Sequence, residues 1–265
     1  MKSLLAIEWL KIKSYRTFWI LLGFFVVLLP LWNYQVFNGM IKFGGGKNGG
    51  INVLSQAYSF PGVWGNVGFW ASIFVIFLSI LIIILTTNEY NFRTHRQNVI
   101  DGWKRLQFYH AKVGLVLLFS LAATLYVFII GTLFGFSNSG NASGMFTDIS
   151  KVLYFFILSV NYLGFALLIG LLIKRSGLAI GLFMLYCLII ENILNGILNW
   201  TFDTNPGNYL PLQASDELLP LPLLDMMKAM IQTTTPDVMP NIIASIAWCA
   251  VYYFAGRRLI LRSDW

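Results

Sequence analysis

Charge is the scarcest commodity in this chain. Of its 265 residues only 11% are Asp, Glu, Lys or Arg, against 57% hydrophobic. Soluble domains carry about 25% charged residues, so a water-soluble globule is excluded. Cysteine is nearly absent. Cys187 and Cys249 both sit inside apolar runs, which rules out a disulfide framework or thiolate metal site and leaves them as packing residues. Histidine is as sparse: His95 and His110 share one connecting segment and read as solvated loop residues. No Glu-x-x-His or Ser/His pairing falls within the apolar runs, so the groups for metal or nucleophilic catalysis are missing and an enzyme is not expected. A nucleotide cradle is missing too. No Gly-x4-Gly-Lys-Ser/Thr occurs; the glycine-rich stretch 44–50 comes nearest, but Asn48 follows Lys47 there and the stretch reads as a loop. Proline is rare except in one place. Six of eight, Pro206, Pro211, Pro220, Pro222, Pro236 and Pro240, crowd into 200–241, which therefore cannot be one helix.

Apolar sequence is what the chain has in quantity. A bilayer core of about 30 Å takes roughly 20 residues of helix, the fold that satisfies its own backbone in lipid. Six stretches meet that length: 18–37, 67–85, 113–136, 152–173, 177–200 and 242–261. In the last, uninterrupted apolar sequence stops at Ala255, and Arg257 and Arg258 must snorkel to the headgroups. The first apolar run is too long for a signal peptide and is read as a retained span. Before it, Leu5, Trp9 and Ile12 alternate at helical spacing with Glu8, Lys11 and Lys13, the pattern of an amphipathic interfacial helix over 1–17. The expected fold is an all-α membrane protein, a single transmembrane domain over 1–265.

Six spans put both termini on one side, and basic residues choose the side. Fourteen of the eighteen Lys and Arg residues lie in the termini and in the segments near 86–112 and 174–175; only Lys42, Lys47, Lys151 and Lys228 lie opposite. Both termini are thus expected in the cytoplasm of a multi-pass cell-membrane protein. Asp148, Asp203, Asp216, Glu217, Asp225 and Asp237 all fall outside. The net charge of +7 is then an orientation signal, and no nucleic-acid partner is needed to account for it. Within the outer stretch 200–241, Leu223, Leu224, Met227, Met230 and Ile231 form an apolar stripe, suited to short helices dipping into the leaflet, to capping a partner subunit, or to loop packing.

Glu191 is the one ionisable residue deep in a span. With Asn195 and Asn199 it recurs every fourth residue, so the three share one helix face. Such a stripe can line a substrate path, carry a proton, or supply hydrogen bonds within the bundle or across a dimer. Gly131 with Gly135, and Gly177 with Gly181, are small-xxx-small pairs suited to close helix packing within one subunit or to dimerisation.

The segment 86–112 mixes charge with Phe92, Val99, Ile100, Trp103, Leu106, Phe108 and Tyr109, the composition of a docking element. It holds Glu89, Thr94, Arg96, Arg105 and Lys112 in order. On these residues the chain resembles the permease subunits of ABC-2 type transporters, whose second helix ends in Glu-x3-Gly-Thr-x-Arg, followed by Pro-x-Ser-Arg and a Lys opening the third. Arg93, Gly102 and Lys104 replace the glycine, proline and serine of that pattern. The interfacial start, the long outer loop before the last span and the basic C-terminus extend the likeness over the chain, and its compact size is similar to that of relatives protecting cells from membrane-active peptide antibiotics.

The resemblance implies an ABC-2 (type V) exporter-like bundle. Its coupling segment, with Glu89, Arg93, Thr94, Arg96, Asp101, Gly102 and Arg105, would seat in cytoplasmic ATP-binding subunits. ATP and Mg would be held by those partners and no cofactor by this chain. A second permease copy or sister permease would complete the complex, with Glu191, Asn195 and Asn199 at the substrate path or dimer interface. Membrane lipid is a further partner, since Arg93, Arg96, Lys104 and Arg105 suit anionic headgroups. The expected function is export of a hydrophobic or amphipathic peptide, lipid or drug; the alternative is a gradient-driven secondary transporter or channel using Glu191.

Overall fold

The structure, a computed structural model, describes residues 2–39, 58–92, 94, 104–140, 144–202, 204–221 and 237–262. Among these no strand occurs, and six helices are long and apolar enough to cross a membrane. A short α1 (Lys2–Lys13) precedes α2 (Arg16–Phe37), α3 (Val63–Asn91), α4 (Arg105–Ser139), α5 (Ser150–Ile173) and α6 (Ser176–Thr201); a single turn α7 (Gln213–Asp216) precedes α8 (Met239–Arg262). All six apolar stretches read from the sequence fall on helices long and apolar enough to cross a membrane, and α8 runs unbroken through Arg257 and Arg258.

The centre of the bundle is α5, which packs against α3, α4 and α8, while α2 lies on α3. In the most apolar windows of α3 and α5, 56% of residues are buried, against 17% in α6 and α8. The outer helices thus present apolar faces to the bilayer, where close van der Waals fit, rather than water exclusion, holds helices together. Small residues provide that fit. A Cβ on Gly131 would come within 2.8 Å of the Trp64 ring, and one on Gly135 would collide with Phe60. The freed space lets Trp64 stack on Phe128 at 5.5 Å and 4°. Gly177 and Gly181, the other small pair, have nothing within 4 Å, so close packing within the subunit does not use them.

Two expectations need correction. The interfacial helix expected over 1–17 ends at Lys13; Ser14 and Tyr15 turn the chain and Arg16 already opens α2. The connecting segment is also shorter than 86–112, because α3 continues to Asn91 and α4 starts at Arg105. Helix α4 is 35 residues, about 52 Å at 1.5 Å per residue, well beyond a ~30 Å core. Its first turns, like the end of α3, therefore stand clear of the hydrocarbon at the end of the bundle rich in Lys and Arg, called the basic end below. The glycine-rich stretch 44–50 and the apolar stripe of Leu223, Leu224, Met227, Met230 and Ile231 lie outside the described residues.

Candidate functional site

At the basic end, four charged side chains from three helices converge. Lys112, on α4, is 3% exposed. Its Nζ donates to Glu8 Oε2 of α1 at 2.6 Å and to Glu89 Oε1 of α3 at 3.0 Å. Lys11 Nζ donates to the same Glu89 oxygen at 3.1 Å and lies 3.7 Å from Glu8 Oε1. The Thr94 hydroxyl donates to Glu89 Oε2, and the Phe108 ring lies 5.5 Å from Lys112 Nζ. Among the described residues the set pairs two carboxylates with two ammonium groups, and that pairing offsets the cost of burying them. A cavity of about 160 Å³ adjoins it, lined also by Ile12, Tyr15, Asn88 and Phe92.

The sequence placed Glu8 on the polar, headgroup-facing side of α1, and this is a further correction. Glu8 is 1% exposed, and Ile12, one turn on, is equally buried, whereas Trp9 and Leu10 are exposed. An unpaired Lys112 at that depth would be costly, so α1 turns its acid inward to meet it. Trp9 and Phe18 meet edge-on at 6.1 Å, and Trp19 Nε1 donates to the Lys13 carbonyl at 3.0 Å, clamping the turn between α1 and α2.

Of the residues singled out for coupling, Glu89 and Thr94 are therefore brought together. Arg105 stands apart on the exposed start of α4, its Nη1 donating to the Leu261 carbonyl at 3.4 Å. His110 is a helical rather than a loop residue, its Nε2 3.1 Å from the Tyr253 hydroxyl. Arg93, Arg96, Asp101, Gly102 and His95 lie outside the described residues. Sequence reading missed Glu8, Lys11 and the burial of Lys112. The available signal was that Glu8 is the one acid in a basic first segment and shares a face with Ile12.

The polar stripe on α6 binds the chain that follows it. Just before Glu191 the helix widens into a π turn, Tyr186–Ile190, whose extra residue re-aims the next turn. Glu191, 2% exposed, accepts through Oε1 from the backbone N–H groups of Leu212 (2.6 Å) and Gln213 (2.9 Å), capping α7. Asn199 Nδ2 donates to Asn195 Oδ1 (2.6 Å) and Asn208 Oδ1 (2.8 Å), and Asn199 Oδ1 accepts from Gly207 N (2.8 Å). A Cβ on Gly207 would lie 2.7 Å from Asn199 Oδ1, so only glycine fits. Helix α5 grips the same segment: Tyr162 donates to both Asp216 oxygens at 2.9 Å, and Asn161 Nδ2 to the Pro211 carbonyl at 2.8 Å. Beside this segment opens a cavity of about 500 Å³ between α3 and α6, with Asp216, Glu217 and Gln213 on one wall and Phe69, Ile73 and Ile76 on another. Asp216, outside the spans, has its acidity weakened by burial: against the Tyr162 hydrogen bond and with Glu191 and Glu217 adding to the effect, its pKa rises to about 7.

Six bilayer-length helices around a central α5 make this a multi-pass membrane protein. The chain belongs to the DUF2705 family, described as proteins of unknown function, whose model matches residues 24–254. That match takes in Glu89, Lys112, Glu191 and Asp216 and leaves out α1. No curated protein matches the sequence.

Proposed function

We propose that this chain is the permease subunit of an ATP-driven exporter of the ABC-2 type. It would lie in the cell membrane with both termini cytoplasmic, and move a hydrophobic or amphipathic substrate outward. The observation that carries this reading is the charge network formed by Glu8, Lys11, Glu89 and Lys112. Glu89 and Thr94 sit where the segment joining α3 to α4 leaves α3, and Lys112 is two turns into α4. A push on that segment from cytoplasmic ATP-binding subunits would thus be delivered to α1, α3 and α4 through one rigid joint. The partners would supply ATP and Mg, in keeping with a chain that has no P-loop. The 500 Å³ cavity between α3 and α6 has the mixed acidic and apolar walls that suit an amphipathic cargo.

Co-purification from the native host, with ATPase assays on the complex, tests the proposal. ATP-binding subunits should co-purify, and charge reversal at Arg96 and Arg105 should weaken their binding. If no nucleotide-binding protein is recovered and the reversals change nothing, the proposal fails.

A further inference from the structure

The cavity of about 500 Å³ between α3 and α6, at the end of the bundle opposite the basic one, keeps its two chemistries on separate walls. On α3, Phe69, Ile73 and Ile76 follow one another at four- and three-residue spacing, so they share one helix face over about 10 Å. The small, half-buried Ser72 leaves room beside them. The other wall is α7 and the residues just after it, which bring Gln213, Asp216 and Glu217. Ile73 and Leu188, both in the lining, are 45% and 53% exposed, so the cavity opens sideways between α3 and α6.

Charge decides what such a cavity accepts. Among the described residues its lining holds two carboxyl groups and no Lys, Arg or His. Neither acid is in an ion pair among those residues. Their hydrogen-bond donors there are neutral, the Tyr162 hydroxyl for Asp216 at 2.9 Å and the Gln213 amide for Glu217 at 3.3 Å. Glu8 and Glu89, by contrast, each have Lys112 as partner. Two half-buried carboxylates without a counter-ion attract a cation and repel an anion, the more strongly because water is partly excluded around them. A phospholipid would set its phosphate against both acids. Size narrows the occupant further: about 500 Å³ falls among pockets for single small molecules, about 300–1,000 Å³, and an apolar stripe of about 10 Å is shorter than one leaflet, ~15 Å.

We infer that this cavity binds a small amphipathic cation, its charge at Asp216 and Glu217 and its apolar body along Phe69, Ile73 and Ile76 of α3. As the class of cargo this rests on the export reading; as a binding site it does not.

Equilibrium dialysis of the purified full chain in a non-ionic detergent tests it, with tetraphenylphosphonium and tetraphenylborate as probes, a cation and an anion of nearly the same size and shape. The wild type should bind the cation at one site per chain and at least about tenfold tighter than the anion, since two unpaired acids act on it at short range. Asp216→Asn/Glu217→Gln should remove that preference; both replacements keep the oxygen acceptors for Tyr162 and Gln213. Ser72→Trp fills the space beside the apolar stripe and should abolish cation binding, and Ile73→Trp serves if that variant elutes as aggregate. Equal binding of the two ions by the wild type overturns the inference, as does an undiminished preference in the double variant. Unchanged cation binding in the filled variant overturns the site. Failure to recover ATP-binding subunits while the cation still binds would sink the export reading and leave the site standing.

Discussion

Lys112→Met removes the centre of the charge network with little change in side-chain volume. Its two ion pairs, at 2.6 and 3.0 Å, are lost together, and Glu8 and Glu89 remain as buried carboxylates. Breaking a buried pair by deleting one partner costs about 3–5 kcal/mol. Lys11 stays 3.1 Å from Glu89 and 3.7 Å from Glu8, and with its side chain 33% exposed it compensates only in part. The low end, about 3 kcal/mol, is expected, which for a chain of this size lowers the melting midpoint by about 6–12 °C. Thermal unfolding in detergent, followed by size-exclusion elution, reads this directly. Adding Glu8→Gln and Glu89→Gln to Lys112→Met should recover at least half the loss, because the stranded charges go with their partner. If Lys112→Met melts within about 2 °C of wild type, or the triple variant is worse than the single, the network does not join α1, α3 and α4 as argued.

Two other outcomes follow from the opposite end of the bundle. Glu191→Ala leaves the N–H groups of Leu212 and Gln213 without their acceptor and should cost about 2–3 kcal/mol, whereas Glu191→Gln keeps an oxygen acceptor and should stay within about 1 kcal/mol and still transport. Loss of transport in a stable Glu191→Gln variant would instead favour a proton- or ion-carrying Glu191. Asp216 gives a pH dependence of definite sign. With its pKa raised from 3.8 to about 7, the folded chain holds a proton that the unfolded chain releases, so stability falls as pH rises between about 4 and about 7. The melting midpoint should therefore be higher at pH 5 than at pH 8, and Asp216→Asn should flatten that difference; an unchanged slope in the variant would show that Asp216 is not its source.

Much of this protein was legible in its residues. The six spans follow from apolar run length against the thickness of a bilayer, and the longest departures, at the end of α3 and the start of α4, arise because helices continue past the hydrocarbon wherever hydrogen-bonded partners await them. The four-residue spacing of Glu191, Asn195 and Asn199 likewise put them on one face. What that face meets was not legible: a helical pattern gives a direction around one axis and says nothing about the neighbour in that direction. For α6 the neighbour is the turn 205–213, held by backbone N–H groups that carry no sequence signature.

The same division is plainest at Glu8 and Lys112. Local pattern alone assigns Glu8 to the watery face of an amphipathic helix and Lys112 to a basic connecting segment. The fold sets them 2.6 Å apart, 104 residues distant in the chain. By itself the sequence determined how many helices cross the membrane and which end is basic, because those depend on composition and length. Only the tertiary structure decided which charges are buried together, because the cost of burying an ion is met by a partner from another helix, and which helix comes near is settled by packing around α5.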